Sequence, residues 1–168
     1  MPEVLFIMHN GNIYMYYGEG KGKTTLAIGQ GVRAIGEGLS VVMVQFLDYN
    51  HNKEYIPLKK LEPDFRAFRF EKNRESLDHA DGNELKNEVK LALNFSRKII
   101  ETGESDMLIL DGVTDAVKSG LIDEDELVEM LKSNAYMQII ITGNAGSQKL
   151  ADCCDYVYSI NIDKKPEE

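Results

Sequence analysis

The stretch that decides the fold is Gly18-Glu19-Gly20-Lys21-Gly22-Lys23-Thr24-Thr25, which follows an apolar run and opens a helical pattern. Glycines allow the backbone to curl so that several N–H groups point into one hollow, and a helix start adds partial positive charge there. Lys23 is placed to reach phosphate oxygens, and the Thr24 hydroxyl is placed to bind Mg²⁺. The segment therefore predicts a nucleotide-binding phosphate loop with residues 18–25 as contacts.

The spacing of this loop departs from the general pattern of a glycine, four residues, and then Gly-Lys-Ser/Thr. Counting back from Gly22 puts Tyr17 where the first glycine belongs, and the first glycine is Gly18. The loop is therefore one residue short. The alternative interpretation is a glycine-rich turn with surface lysines, which is disfavoured because strand, loop, Lys-Thr-Thr and helix all agree.

A second candidate element is the apolar run Met107–Leu110, which ends in Asp111. In a nucleotide-binding sheet, a carboxylate at the end of such a strand lies near the phosphate loop and holds Mg²⁺ directly or through water. We therefore predict Thr24 and Asp111 as the metal ligands.

Strand-like and helix-like runs alternate along the chain. Strands are predicted at 13–17, 40–46, 65–70, 107–110, 137–142 and 156–160, and helices at 23–35, 84–102, 123–132 and 147–154, with a short helix within 48–60. Asp123 is the predicted N-cap of its helix, and Glu126 is placed for a capping-box contact. This order predicts an α/β fold with a mostly parallel sheet and helices on both faces. Asn10-Gly11 is a hairpin signal that predicts an extra antiparallel strand over Val4–Met8.

Composition limits the classes of function. The chain has 168 residues, with 19 Lys and Arg against 28 Asp and Glu, a net charge of −9. This length fits one domain over 1–168, with a loose charged tail at 163–168. The acidic balance argues against nucleic-acid and anionic-membrane partners. No apolar run approaches the roughly 20 residues of a membrane span. The N-terminus has no secretory pattern, and Cys153-Cys154 cannot form a disulfide framework, so a cytoplasmic location is expected.

The short loop, followed by Arg33-Ala34-Ile35-Gly36 and Val44-Gln45-Phe46, resembles the ATP:corrinoid adenosyltransferases, a family of P-loop proteins. Further segments match the family in order, and the resemblance covers roughly Ile13 to Ile160. These segments are 106–111, 120–122, 141–144 and 150–152. The resemblance implies a three-layer, RecA-like P-loop fold.

The resemblance also implies a reaction, in which the Co(I) centre of a reduced corrinoid attacks the 5′ carbon of ATP and triphosphate leaves. Such a nucleophile needs no general base, so no catalytic side chain is assigned. By position, Glu19 to Thr25 would contact phosphates, Arg33 would lie near the ribose, and Thr24 with Asp111 would hold Mg²⁺. The resemblance implies a homodimer with ATP and a corrinoid as its ligands.

Several positions depart from the family pattern. Gly112 stands where members carry a metal-holding glutamate, and Asn144 stands in place of an arginine. The chain has no tryptophan for the family's aromatic corrinoid cover, and Lys164-Lys165-Pro166 is followed only by two glutamates, where members continue with a closing segment. Two alternatives therefore stay open. One is a catalytically impaired ATP- or corrinoid-binding regulatory homologue, and the other is a P-loop kinase or ATPase of another specificity.

Overall fold

The structure is a computed structural model that describes residues 11–47, 55–72 and 81–167. The strands are β1 Ile13–Tyr17, β2 Val41–Gln45, β3 Phe65–Arg69, β4 Met107–Asp111, β5 Gln138–Gly143 and β6 Tyr156–Ser159. The helices are α1 Lys23–Gly36, α2 Tyr55–Leu58, α3 Gly82–Thr102, α4 Val113–Lys118, α5 Glu124–Lys132 and α6 Gln148–Asp152. A 3₁₀ turn, Lys59–Leu61, follows α2.

The described strands form one six-stranded sheet in the order β3-β2-β4-β5-β1-β6, and every neighbouring pair is parallel. This confirms the predicted α/β class with a parallel sheet. The strand that carries the phosphate loop, β1, is separated from the strand that ends in Asp111, β4, by the single strand β5. The predicted strand Val4–Met8 lies outside the described residues, and both edges of β1 are taken by β5 and β6.

Helices cover both faces of the sheet, as predicted. Side chains of β2 alternate between the two cores, with Val42 and Val44 in one and Val41 and Met43 in the other. The first core is closed by α3, α4, α5 and α6, and the second by α1 and α2. Because the central strands are buried on both sides, they are continuously apolar in sequence, which is the pattern from which they were predicted.

Three details differ from the sequence predictions. Helix α4 was not predicted, because it begins directly after the strand at Gly112 and is only six residues long. Helix α3 begins at Gly82, capped by Asp81, whose side chain accepts a hydrogen bond from the N–H of Asn83. Asp123 caps α5 as predicted, and its carboxylate accepts from the N–H of Glu126 at 3.2 Å, which is one half of the predicted capping box. The Glu126 carboxylate does not complete the box and instead accepts from Arg97 at 2.7 Å.

The chain beyond β6 has no regular secondary structure in its described part, and residues 161–167 are exposed. Strand β6 is itself an edge strand with all four residues exposed. Within residues 11–47, 55–72 and 81–167, no helix combines the length and apolar character needed to cross a membrane.

Candidate functional site

The phosphate loop joins the carboxyl end of β1 to the amino end of α1 and rests on the end of β6. The Gly20 N–H donates to the Ile160 carbonyl at 2.8 Å, and the Gly18 N–H donates to the Asn144 carbonyl at 3.2 Å. Gly18 has a φ of 117°, and a Cβ there would lie 2.4 Å from the Ile160 oxygen. A side chain is therefore excluded at Gly18 by both conformation and space.

The side chain of Lys23 folds back onto the backbone of the phosphate loop. Its ammonium donates to the carbonyl of Gly18 at 2.6 Å and to that of Gly20 at 2.7 Å. Helix α1 begins with the hydrogen bond from the Leu26 N–H to the Gly22 carbonyl. Among the described residues, no acceptor receives the backbone N–H groups of residues 21–25. The hollow thus combines an ammonium group with a helix start, and both favour an anion.

The predicted metal ligands meet at the centre of the site. The Thr24 hydroxyl donates to Oδ1 of Asp111 at 2.9 Å, and the Thr142 hydroxyl donates to the same oxygen at 2.6 Å. Thr142 in turn accepts from the N–H of Gly112 at 3.0 Å. Asp111 is only 8% exposed. A hydroxyl beside a buried carboxylate is a pair of hard oxygen ligands, which fits Mg²⁺.

The loop after β5 is held by a carboxylate that the sequence analysis missed. Asp115, on α4, accepts from the N–H of Asn144 at 2.9 and 3.1 Å and from the N–H of Ala145 at 3.2 Å. Asp115 and Thr142 escaped notice because neither belongs to the loop motif, and α4 itself was not predicted. Thr142 had two sequence signals, its position at the end of a buried strand and its place in the family-like segment 141–144, and neither assigned it a role.

These groups surround one cavity of about 490 Å³. Its lining residues are Lys21, Gly22, Lys23, Thr24, Thr25, Asp111, Gly112, Asp115, Thr142, Gly143 and Asn144. A larger groove of about 920 Å³ adjoins it on the other side of α4 and is bounded by α3, the start of α5 and residues 145–147. Three lysines without an ion-pair partner in the described chain line the groove: Lys86, Lys90 and Lys118.

The remaining predicted contacts lie at the rim or farther away. Glu19, Lys21 and Thr25 are exposed around the loop. Arg33 lies in the last turn of α1, about 15 Å along the helix axis from Lys23. It lines a shallow surface groove together with Gly22 and Thr25. The structure therefore brings the loop, Thr24 and Asp111 together and places Arg33 at the far end of a groove that begins at the loop.

Gly112 is built into the backbone at the end of β4. Its φ is +79°, and a Cβ at this position would approach the Phe46 carbonyl oxygen to 2.7 Å. The glutamate that family members carry here is therefore not accommodated by this backbone. Among the predicted oxygen ligands, Asp111 is the one carboxylate at this strand end.

The parallel sheet with helices on both faces, together with the phosphate loop, defines a three-layer P-loop fold of the RecA-like kind. A KaiC-like protein from the hyperthermophilic archaeon Pyrococcus horikoshii OT3 shares this fold with a TM-score of 0.60 and 14% identity, over 94% of this chain and 75% of its own. The sequence model of the family described as ATP:corrinoid adenosyltransferase BtuR/CobO/CobP matches residues 9–168. The chain belongs to this family.

Individual relatives agree with the family match. A corrinoid adenosyltransferase of Escherichia coli K12 is 30% identical over 88% of this chain and 74% of its own length. The corrinoid adenosyltransferase CobA of Salmonella typhimurium LT2 is 28% identical over the same shares of the two chains. An uncharacterised protein of Nostoc sp. PCC 7120 is 29% identical over 86% of this chain and 42% of its own.

Proposed function

We propose that this protein transfers the adenosyl group of MgATP to a reduced corrinoid. The Co(I) centre of the substrate attacks the 5′ carbon of ATP, a cobalt–carbon bond forms, and the carbon–oxygen bond breaks. Triphosphate leaves with the bonding electron pair, and cobalt becomes formally Co(III). Family membership supports this reaction, and the observation that carries it is the one-residue-short phosphate loop with Lys23 folded inside it.

In this proposal the phosphate loop binds and stabilises triphosphate, the leaving group. Triphosphate departs with more negative charge than it carried as part of ATP, so groups that bind it tightly lower the barrier. Lys23 exchanges its two carbonyl partners, Gly18 and Gly20, for phosphate oxygens. The N–H groups of residues 21–25 add further donors. Because the nucleophile belongs to the substrate, the protein orients the reactants and needs no general base.

Thr24 and Asp111 are the residues that would hold Mg²⁺. When bound, the ion neutralises charge on the phosphate oxygens. The Thr142 hydroxyl keeps the Asp111 carboxylate in one orientation. Within the described residues, no group of three or more His, Cys, Asp or Glu side chains could hold a metal ion. Phosphate and water are therefore expected to complete the coordination.

The corrinoid is proposed to occupy the larger groove beside α4. Thr114 and Ala145 line this groove, and their chain neighbours Asp115 and Asn144 line the nucleotide cavity, which supports a corrinoid position close to the bound nucleotide. The homodimeric state, the cytoplasmic location and the contact of Arg33 with ribose stay predictions of the sequence.

A second candidate is a homologue that binds ATP or the corrinoid without turnover. The observation that favours it is the backbone at Gly112. The metal site lacks the family's glutamate there, and this backbone would have to rearrange to accept a glutamate side chain. A kinase or ATPase is the third candidate and is less compatible with the shortened loop.

One assay separates these three functions. The protein is mixed with chemically reduced cobalamin, Mg²⁺ and ATP, and the loss of the Co(I) absorption spectrum is followed. Photolabile adenosylcobalamin with one triphosphate per turnover supports the transferase. Intact ATP binding by calorimetry without adenosylation contradicts it and supports the non-catalytic binder. Release of ADP supports a kinase or ATPase.

A further inference from the structure

Gln45 is the last residue of β2, and it lies in register between two charged residues of the neighbouring strands. Its Cα partners are Asp111 on β4 and Arg69 on β3. Neighbouring strands are about 4.8 Å apart, so the backbones of Gln45 and Asp111 are one strand spacing from each other. Gln45 thus stands at the carboxyl edge of the sheet, beside the carboxylate that the metal site needs.

The side chain of Gln45 is on the same face of the sheet as that carboxylate. Side chains alternate along a strand, and Val41 and Met43 both pack in the core beneath α1. Gln45 follows Met43 by two residues and so points to the α1 face. Asp111 points there as well, because it accepts the hydroxyl of Thr24 from the first turn of α1.

The carboxamide of Gln45 is buried without a partner. The residue is 1% exposed, and neither its oxygen nor its nitrogen has a hydrogen-bond partner in the described chain. A buried amide that makes no hydrogen bond destabilises a protein relative to an apolar side chain of similar size. The other four residues of β2 are Val and Met. Stability alone would therefore favour an apolar residue at position 45.

We propose that Gln45 is a positioning residue for the hydrated Mg²⁺ that Thr24 and Asp111 hold. Magnesium keeps several of its waters when it binds through one or two protein ligands and phosphate. Such waters are strong donors, and the Gln45 oxygen is an acceptor one strand away from the ligand Asp111. The Gln45 nitrogen can donate to a phosphate oxygen or to a second water. The inference rests on the proposed MgATP site and assigns a role that does not depend on the corrinoid.

The test measures how much Mg²⁺ strengthens ATP binding. Calorimetry gives the Kd of ATP in EDTA and in Mg²⁺, and the ratio of the two is the magnesium enhancement. In Gln45→Leu we expect the enhancement to fall about fivefold, the equivalent of one hydrogen bond, with the EDTA value unchanged. The ligand-free Tm of this variant should equal or exceed that of the wild type, because the unpartnered amide is gone.

Gln138→Leu is the matched control, since it makes the same change at the amino end of β5, away from the phosphate loop. It should leave the enhancement unchanged. Gln45→Glu supplies a second test: it should lower the ligand-free Tm by placing a carboxylate beside Asp111, and Mg²⁺ alone should then raise the Tm more than in the wild type.

The outcomes distinguish the two levels of the proposal. A wild-type enhancement that persists in full in Gln45→Leu overturns the role of Gln45 and leaves the proposed function standing. No enhancement in the wild type overturns both the role of Gln45 and the metal site. If Gln45→Leu fails to fold, a Gln45→Glu protein whose Tm responds to Mg²⁺ no more than the wild type's also overturns the role of Gln45.

Discussion

The hydroxyl of Thr142 donates to Oδ1 of Asp111 at 2.6 Å, across the neighbouring strands β5 and β4. The same hydroxyl oxygen accepts the N–H of Gly112 at 3.0 Å. One buried side chain therefore orients the metal-site carboxylate and satisfies the backbone that follows it. This relationship places Thr142 beside Asp111, a contact that the resemblance of segment 141–144 to the family did not indicate.

Removal of this hydroxyl should weaken both the fold and the metal site. Thr142→Val leaves the Gly112 N–H and one position on the Asp111 carboxylate unpaired, so we expect a loss of about 1–3 kcal/mol in the free energy of unfolding. The magnesium enhancement of ATP binding should fall as well. Thr142→Ser keeps the hydroxyl and is the control. Equal stability and equal enhancement in the two variants would show that the hydroxyl has no such role.

Lys23 should matter for nucleotide binding far more than its neighbour Lys21. Lys23→Met removes the ammonium that lies inside the loop, and a hydrogen bond to a charged group is worth enough to weaken ATP binding roughly tenfold to a hundredfold. Lys21→Met removes an exposed charge at the rim and should change the Kd less than threefold. Calorimetric titration with ATP compares the two variants. A similar loss in both would mean that the loop attracts ATP only by its net charge.

The restraint on Gly112 can be measured by alanine substitution at two glycines with similar conformations. Gly112 has a φ of +79° and Gly120 a φ of +72°, but a Cβ at Gly120 meets no atom within 4 Å. Both Gly112→Ala and Gly120→Ala should lose about 1–2 kcal/mol because of the left-handed backbone.

Gly112→Ala should lose more than Gly120→Ala, because its Cβ would lie 2.7 Å from the Phe46 oxygen. Urea unfolding followed by circular dichroism gives both free energies. Equal losses would mean that the Phe46 backbone moves aside freely, in which case Gly112→Glu would become a practical way to restore the family's metal-site residue.

The adjacent thiols of Cys153 and Cys154 should differ in reactivity. Both Sγ atoms donate to the Leu150 carbonyl at 3.1 Å at the end of α6. A hydrogen bond from Cys154 lowers the pKa of the Cys153 thiol, and the same contact together with burial raises the pKa of Cys154. Because the thiolate is the reactive form, Cys153 should be alkylated first and at a lower pH than an ordinary thiol.

Iodoacetamide labelling followed by peptide mass spectrometry identifies the alkylated thiol as a function of pH. Cys154→Ala removes the hydrogen bond and should move the labelling of Cys153 to higher pH. Faster labelling of Cys154 in the wild type would contradict the assigned direction of the two shifts.

Most of the fold could be predicted because local patterns and tertiary packing agree. The central strands β2, β4 and β5 are apolar on both faces. Asp123 precedes α5 and Gly103 follows α3, so these helix ends follow from neighbouring residues alone. Helix α4 lacks these signals. It is short, it has no side-chain cap, and it is stabilised by burying Val113 and Ala116 against the rest of the core.

The candidate site likewise contains residues that a local pattern predicts and residues that only the tertiary structure brings together. The phosphate loop is contiguous, so its eight positions could be predicted from order and spacing. The Thr24–Asp111 contact spans 87 positions and could be anticipated only by comparison with other nucleotide-binding sheets. Thr142 and Gln45 reach the site through strand order and register, and Asp115 reaches it from α4, and no local pattern encodes either arrangement. Arg33 lies two to three helical turns from the loop along α1, in a groove that it shares with Gly22 and Thr25, and its predicted contact with ribose stays a prediction.

The sequence by itself determined the fold class, the phosphate loop and its missing residue, because each depends on residues within a few positions of one another. The tertiary structure alone decided which side chains surround Asp111, since parallel strands bring distant carboxyl ends to one edge. It also decided that Gly112 cannot be exchanged for glutamate on this backbone, because the obstacle is the carbonyl of Phe46, the residue that follows the neighbouring strand β2. Spacing along the chain specifies the phosphate site, whereas the register between strands specifies what lies beside the metal ligands.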